Sequence, residues 1–404
     1  DSISQHSNND GVESTVTTTL SDVHERRNEA SNKDMILSTI DIVRDDMIRS
    51  GYRIPVDNHT IVKQINDSTN KRQYYTPDKD GDNTIYQVNH ADAIGGNLLT
   101  EKQEGHIRIS GCNPNGIKVQ NLQSNLQHSK DLAIDIQGYS EVNTNFGLNK
   151  TAQTFYELPK RMDPTSRPTW CSSNYESVGA FKPGGTGIVT SGSSASRIKE
   201  TKRDPLGRWT CQILDGEKDK DVAIICVYQC CTPSKKTGMK TAYKQQKVLL
   251  SKMNRRNTDP RTNFRLDLKR FVQDIQKKYK NIRPIILGDW NEECKGTAVS
   301  MEMCHEFGLV NIFKRMNPDH ENFNTYNRGS SIIDFALAPP EIADIVSNFV
   351  YEPFFYRLKG DHRGFYFDIP EKALFGSNKP AVYDSKGRGL NSKDIKNVKV
   401  YLET

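Results

Sequence analysis

Six residues with chemically active side chains stand inside or at the ends of short apolar runs. Asp289 and Asn291 follow Pro284-Ile285-Ile286-Leu287 in the segment Gly288-Asp289-Trp290-Asn291, and Glu141 follows Ile134-Asp135-Ile136. Asp334 lies within Ile332-Ile333-Asp334-Phe335-Ala336-Leu337, and Asp361-His362 precedes Phe365-Tyr366-Phe367. Withdrawing an unpaired carboxylate from water costs free energy, so a carboxylate in such a place acquires a cation, a strong hydrogen bond or a raised pKa. Each of these suits a site that holds a metal or moves a proton. Other signals are weaker. Asp78-Lys79-Asp80-Gly81-Asp82 opens like a calcium loop, but Asn83 replaces its glycine and Asn89 its closing glutamate, so a turn is the better reading. Gly184-Gly185-Thr186-Gly187 lacks the Gly-Lys-Ser/Thr that completes a phosphate-binding loop and reads as a tight strand entry. No cysteine is followed six positions later by arginine, which argues against a cysteine-dependent phosphatase. Cys304-His305 falls on an amphipathic helix and reads as packing.

The elements that must position these residues begin near residue 105. Residues 106–110 and 132–137 read as strands around a helix over 118–128, and residues 222–228 form a β-branched strand. Phe264, Leu268, Phe271, Ile275 and Tyr279 make a helical stripe that feeds the strand ending at Gly288. Residues 297–307 read as a helix stopped at Gly308, and 332–337 as another strand. The body, residues 105–372, is therefore mixed α/β. Before it, residues 1–104 read as a polar, largely disordered arm with one amphipathic helix near 33–50, where Ile36, Ile40, Val43 and Met47 follow Ser31 and Asn32. After it, residues 373–404 read as a linker and a short helix beginning near Ser392.

Composition divides the chain at the same place. All 15 Phe, all three Trp and all eight Cys lie at or beyond Gly111. Residues 1–110 hold 12 Lys and Arg against 18 Asp and Glu, net −6, which leaves 44 against 32, net +12, for the remainder. An acidic arm thus precedes a basic body, and a basic body suits a polyanionic partner such as nucleic acid. The scattered cysteines, without a Cys-x-x-Cys pair, read as reduced core thiols. No apolar leader and no run approaching 18 apolar residues is present, so the expectation is an intracellular protein without membrane contact, nuclear if it acts on DNA. No protein partner follows from the sequence.

Seven short motifs in order then resemble the endonuclease/exonuclease/phosphatase superfamily over about residues 107–368. Cys112-Asn113-Pro114-Asn115-Gly116 is similar to its W-N-x-N-G, Tyr139-Ser140-Glu141 to its Q-E, and Gly185-Thr186-Gly187-Ile188 to its glycine-rich strand. Val227-Tyr228 resembles A-Y or V-Y, Gly288-Asp289-Trp290-Asn291 resembles G-D-F-N, Ser331-Ile332-Ile333-Asp334-Phe335 resembles the I-D-Y strand, and Gly360-Asp361-His362 resembles S-D-H. Ser140, Cys112 and Gly360 depart from the usual residues without removing a proposed ligand. The resemblance implies a four-layered α/β sandwich, two mixed sheets packed face to face with helices outside.

It also implies metal-dependent phosphodiester hydrolysis. Glu141 and Asp361, with Asn113 and Asn115, would supply or orient the oxygen shell of Mg²⁺, with Mn²⁺ as a substitute. Asp289 would orient or deprotonate water, and Asn291 would fix the nucleophile. His362 would hydrogen-bond a phosphoryl oxygen, Asp334 would hold His362, and Tyr228 would donate a further hydrogen bond. Gln229-Cys230-Cys231-Thr232 stands where repair enzymes read Tyr-x-Pro-Asn after the tyrosine, which argues against abasic-site specialisation. The favoured function is a DNA endonuclease of the retrotransposon type. The alternatives are a phosphomonoesterase of inositol phosphates or phosphoinositides, and a catalytically idle nucleic-acid-binding relative.

Overall fold

The computed structural model describes the backbone of residues 71–77, 83–89 and 219 and, with side chains, residues 92–377 apart from 100, 219, 235–236, 321 and 357–359. The helix expected near 33–50 and the one expected after Ser392 lie outside these residues. Two strands, β1 (Lys71–Pro77) and β2 (Asn83–Asn89), pair antiparallel within the segment read as a disordered arm.

The next strands are β3 (Ile94–Gly95), β4 (His106–Cys112), β5 (Ile136–Ser140), β6 (Arg167–Cys171) and β7 (Thr186–Thr190), followed by β8 (Ile198–Arg203), β9 (Trp209–Leu214), β10 (Val222–Tyr228), β11 (Arg283–Asp289), β12 (Val310–Asn311) and β13 (Asp334–Ala338). The chain then returns to the first sheet with β14 (Asn348–Tyr351) and β15 (Phe365–Pro370). One sheet has the order β3-β14-β15-β4-β5-β7-β6 and the other β12-β13-β11-β10-β9-β8. Each is mixed, with one parallel pair near its middle, β4 with β5 and β10 with β11. A single apolar cluster joins their inner faces: Ile109, Ile136 and Ile188 meet residues such as Ile224, Ile286 and Leu287. The helices Leu122–Asp131 and Asn149–Met162 cover the outer face of the first sheet through Leu122, Leu126 and Phe155, which pack with Tyr139, Trp170 and Val189. Phe264, Leu268, Val272 and Ile275 of the helix Pro260–Lys278 are buried against the second sheet. The four-layered arrangement of two sheets and outer helices is the one the resemblance implied.

Strands β10 and β11 are apolar along nearly their whole length because both their faces are covered. Edge strand β8 instead alternates half-buried and exposed residues and carries Lys199, Glu200, Lys202 and Arg203, charges that discourage pairing with another chain.

Two strand expectations shift. The apolar residues at 132–135 are not strand: the helix ends at Asp131, Ala133 takes φ 51, and the N–H of Leu132 and of Ala133 cap the carbonyls of His128 and Lys130. Leu132 and Ile134 bury themselves beside Val350, Tyr356 and Tyr366, and the strand starts at Ile136. Likewise Ile332 and Ile333 precede the strand, which begins at Asp334. The first sheet also draws on Ile94–Gly95, upstream of residue 105.

Candidate active site

Strand register brings the chemically active residues to one end of both sheets. Asp289 pairs with Tyr228 on one side and with Asp334 on the other. In the first sheet Cys112, just before Asn113, pairs with Tyr139, two residues before Glu141, and the start of β15 at Phe365 pairs with Gly111. Carboxyl ends of parallel strands thus converge with the loop that carries Asp361 and His362.

Asn113 is the hub of this convergence. Its Oδ1 accepts the N–H of Asn115 at 2.8 Å, which turns the amide NH₂ toward the acids. Nδ2 donates to Glu141 Oε2 at 3.0 Å and Asp289 Oδ2 at 2.9 Å, and lies 3.4 Å from His362 Nε2. Asn115 Nδ2 donates to Asp361 Oδ1 at 3.3 Å, and Asp361 Oδ2 is paired at 2.6 Å with Arg328. Of the four residues expected around a metal, Glu141 and Asp361 therefore present carboxylates, while Asn113 and Asn115 orient them through N–H groups.

Asn291 also serves the acids. Its N–H donates to Asp289 Oδ1 at 2.8 Å, and its Nδ2 donates to Asp289 Oδ2 at 3.1 Å and to the carbonyl of Gln229 at 2.8 Å. His362 Nδ1 meets Asp334 Oδ2 at 2.8 Å, and the Tyr326 ring lies 37° from the imidazole plane with centroids 5.0 Å apart. Tyr228 is buried near the same strand end, beside Cys230 and Ala242.

Electrostatics follow from this crowding. Burial, reinforced by the neighbouring Asp334 charge and opposed by His362, pushes the Asp289 carboxyl up to about 8. For His362 burial disfavours the charged ring, but Asp334, Asp289 and Asp361 outweigh it and raise the imidazole to about 10. Burial also drives the Tyr228 phenol well above its ordinary value, so it stays a neutral donor.

Glu141 (φ 50), Asn115 (φ 49) and Asn291 (φ 46) all sit in the left-handed backbone region. That conformation costs roughly 1–2 kcal/mol for a residue with a side chain, and it recurs at sites where surrounding structure holds a group in place. Gly288 (φ +140) is a further constraint: a Cβ there would lie 2.1 Å from the Val227 carbonyl oxygen and 2.8 Å from Ser140 Oγ.

Sequence reading missed several supports. Ser140, a departure from the family pattern, reaches across the sheets: its hydroxyl donates to the Val227 carbonyl at 2.8 Å and accepts the N–H of Asp289 at 3.1 Å. Gly360, another departure, is seated where a Cβ would stand 2.9 Å from the Asn113 carbonyl oxygen, which leaves no room for the usual serine. Thr325 Oγ1 accepts the N–H groups of both Ile333 and Asp334. Asn143 Nδ2 donates to Glu141 Oε1 at 3.3 Å. Cys231, read as a core thiol, is exposed, and its Sγ lies 3.3 Å from Asn291 Oδ1. The other seven cysteines are buried or half-buried free thiols, as the reading expected.

The donor set suits a hard divalent cation. Among the described residues Glu141 has no cationic partner, and its oxygens accept only the amides of Asn113 and Asn143, leaving lone pairs free. Asp289, Asp334 and His362 also lie close enough together to hold an ion, but an ion there would have to displace the Asp334–His362 hydrogen bond. No helix among the described residues is long and apolar enough to cross a membrane.

No protein-family model and no curated protein matches the sequence. Solved structures do match its fold. An AP endonuclease from Leishmania major aligns with a TM-score of 0.50 at 12% identity, over 70% of this chain and 94% of its own. The 3′ phosphatase NExo from Neisseria, bound to a product DNA hairpin, aligns at 0.46 with 16% identity, over 65% of this chain and 99% of its own. An AP endonuclease from Archaeoglobus fulgidus gives 0.43 with 14% identity, over 65% and 98%. With its two mixed sheets and outer helices, the chain shares the fold of the Leishmania major AP endonuclease.

Proposed function

We propose that this protein is a divalent-metal-dependent phosphodiester hydrolase that nicks DNA, of the retrotransposon endonuclease type. The observation that carries the reading is the Asn113 hub, which holds a metal-ready carboxylate, Glu141, and a buried carboxyl whose hold on a proton is raised, Asp289, on one amide. A basic body with net charge +12 beyond residue 110 supports a polyanionic substrate. The retrotransposon type rests on the resemblance of the sequence motifs.

Glu141 and Asp361, steadied by Asn113 and Asn115, would hold Mg²⁺ or Mn²⁺. When bound, the ion supplies positive charge against the phosphate oxygens and acidifies water. Asp289 in its ionised form takes the proton of the attacking water, and burial raises its affinity for that proton. Asn291 and Asn113, donating to both Asp289 oxygens, fix the carboxylate in the plane from which it acts. Asp334 keeps a proton on His362 Nδ1 and favours the imidazolium, whose Nε2–H donates to a phosphoryl oxygen as charge grows there. Tyr228 adds a neutral donor.

The test is Mg²⁺-dependent nicking of supercoiled plasmid by pure protein, with Asp289→Ala as the control. Absence of nicking by the wild type, with release of inorganic phosphate from inositol phosphates instead, would replace the reading with a phosphomonoesterase. Equal rates on intact DNA and on DNA carrying an abasic site are expected; strong preference for the abasic site would move the assignment toward repair.

A further inference from the structure

From residue 222 to residue 258 the sequence holds six lysines and two arginines and no aspartate or glutamate. The helix Ala242–Lys252 lies in this stretch. It buries Ala242, Gln245, Gln246, Leu249 and Leu250 and turns Lys244 and Lys247 outward, with Lys240 exposed just before its first turn. Several cations on other helices meet acids: Arg161 pairs with Glu157, Arg265 with Glu302, Lys269 with Glu306 and Lys278 with Glu200. Among the described residues Lys240, Lys244 and Lys247 have no such partner. An ordinary solvated helix face mixes both signs, so a run free of acids is a positive potential aimed at something outside the chain.

Its position says what. Ala242 and Tyr243, in the first turn, pack with Tyr228 and Cys230, and Arg261 Nη1 holds the Cys230 carbonyl at 2.7 Å. The first turn of the lysine-bearing helix therefore lies beside the strand end that carries Tyr228 and Asp289. Side chains three and four apart on a helix are about 5–6 Å apart, a spacing that lets successive lysines meet successive phosphates along a groove edge.

We infer that Lys240, Lys244 and Lys247 form a track for the phosphate backbone of a DNA duplex whose scissile bond lies at the Asp289 site. The inference rests on the nuclease reading for the identity of the duplex and adds where its flank lies. These lysines contact phosphates only, so they set affinity and position without reading bases. A substrate too small to reach them is indifferent to them.

The experiment compares the full-length wild type with the triple variant Lys240→Gln, Lys244→Gln, Lys247→Gln. Binding of a 30-base-pair duplex is measured without divalent ion across a salt series, and Mg²⁺-dependent hydrolysis of bis(p-nitrophenyl) phosphate is measured alongside plasmid nicking. The expected result is a salt slope shallower by about 2 to 3, from about 0.9 per lost phosphate contact, and DNA affinity at least about tenfold weaker in 0.1 M salt, with small-diester hydrolysis unchanged. Equal slope and affinity in the two proteins overturn the track. A loss of binding to vesicles of anionic phospholipid, with duplex binding intact, overturns it too and identifies a lipid surface instead. A wild type that binds duplex through these lysines but hydrolyses neither substrate leaves the track standing and removes the nuclease reading.

Discussion

Two of the buried ionic clusters among the described residues are built to opposite specifications. In the first sheet, Arg108 on β4 is fully buried, and all five of its N–H groups are used. Two donate to Asp368 at 2.7 and 2.9 Å and the others to the carbonyls of Leu99, Leu132 and Glu101, while its guanidinium lies 4.2 Å from the centre of the Tyr366 ring. At the other cluster, Glu141, Asp289, Asp334 and Asp361 face His362 and Arg328, acids outnumber cations, and Glu141 keeps free lone pairs. The closed cluster neutralises its charge internally and organises the fold. The open one stores unneutralised charge that a cation and a phosphate can satisfy, and its strained backbone and displaced pKa values are the cost of staying open.

Changes at the two clusters should therefore be felt in different measurements. Asp289→Asn, which cannot accept a proton, is expected to lower plasmid nicking by about 10³-fold within the usual 10²–10⁴ range for a general base, with urea unfolding no easier than in the wild type. A variant that nicks normally, or unfolds far more readily, would erase the distinction. Arg108→Ala leaves Asp368 buried and unpaired and is expected to cost about 3–5 kcal/mol in urea unfolding, while the folded fraction nicks DNA at the wild-type rate. Full stability in that variant would show that the closed cluster contributes nothing.

Within the open cluster the parts should separate as well. His362→Gln is expected to lower turnover by about 10²-fold with Mg²⁺ affinity nearly unchanged, whereas Glu141→Gln should weaken metal affinity first. Isothermal titration with Mg²⁺ decides between them, and equal affinity in wild type and Glu141→Gln sinks the ligand assignment. Mg²⁺ at 100 times its dissociation constant should stabilise the wild type by about 2.7 kcal/mol and Glu141→Gln much less; a thermal shift of equal size in both would count against the site.

The smallest effect concerns pH. His362 is raised from 6.5 to about 10, so the native state holds its proton more tightly than the unfolded chain, and that stabilisation is complete below pH 6.5 and lost as pH climbs through 10. Asp289, raised from 3.8 to about 8, acts in the same direction at lower pH: the unfolded carboxyl ionises first, so its contribution is complete below pH 3.8 and lost as pH rises through 8. Metal-free protein should therefore lose stability between about pH 4 and pH 10, and His362→Gln should flatten the upper part of that decline, above about pH 6.5. A decline identical in both proteins would mean that the His362 proton is not coupled to folding.

Legibility in the sequence tracked burial on both faces. Strands β10 and β11 and the helix Pro260–Lys278 were readable because continuous or periodic apolar residues mark them. Edge strand β8 was not, since its charges resemble a loop. Nor was the helix Asn149–Met162, whose buried stripe of Thr151, Phe155 and Pro159 contains one large apolar residue and a proline. The helix Ala242–Lys252 hid for a related reason, because two of its five buried residues are glutamines.

At the site, the sequence by itself determined the inventory: acids, amides and a histidine beside apolar strands, in an order that implied the four layers and the reaction class. Only tertiary structure decided the connections. The Asn113 amide reaches Asp289, Ser140 braces the same residue across the sheet interface, and Thr325 braces Asp334, through hydrogen bonds set by sheet packing and register. The first two join residues 176 and 149 positions apart, and the third crosses the turn between Thr325 and Asp334, so apolar periodicity encodes none of them. A carboxylate's role depends on what faces it, and two sheets must close on each other before Asp289 has a neighbour in Asp334 or Glu141 has none that is positive.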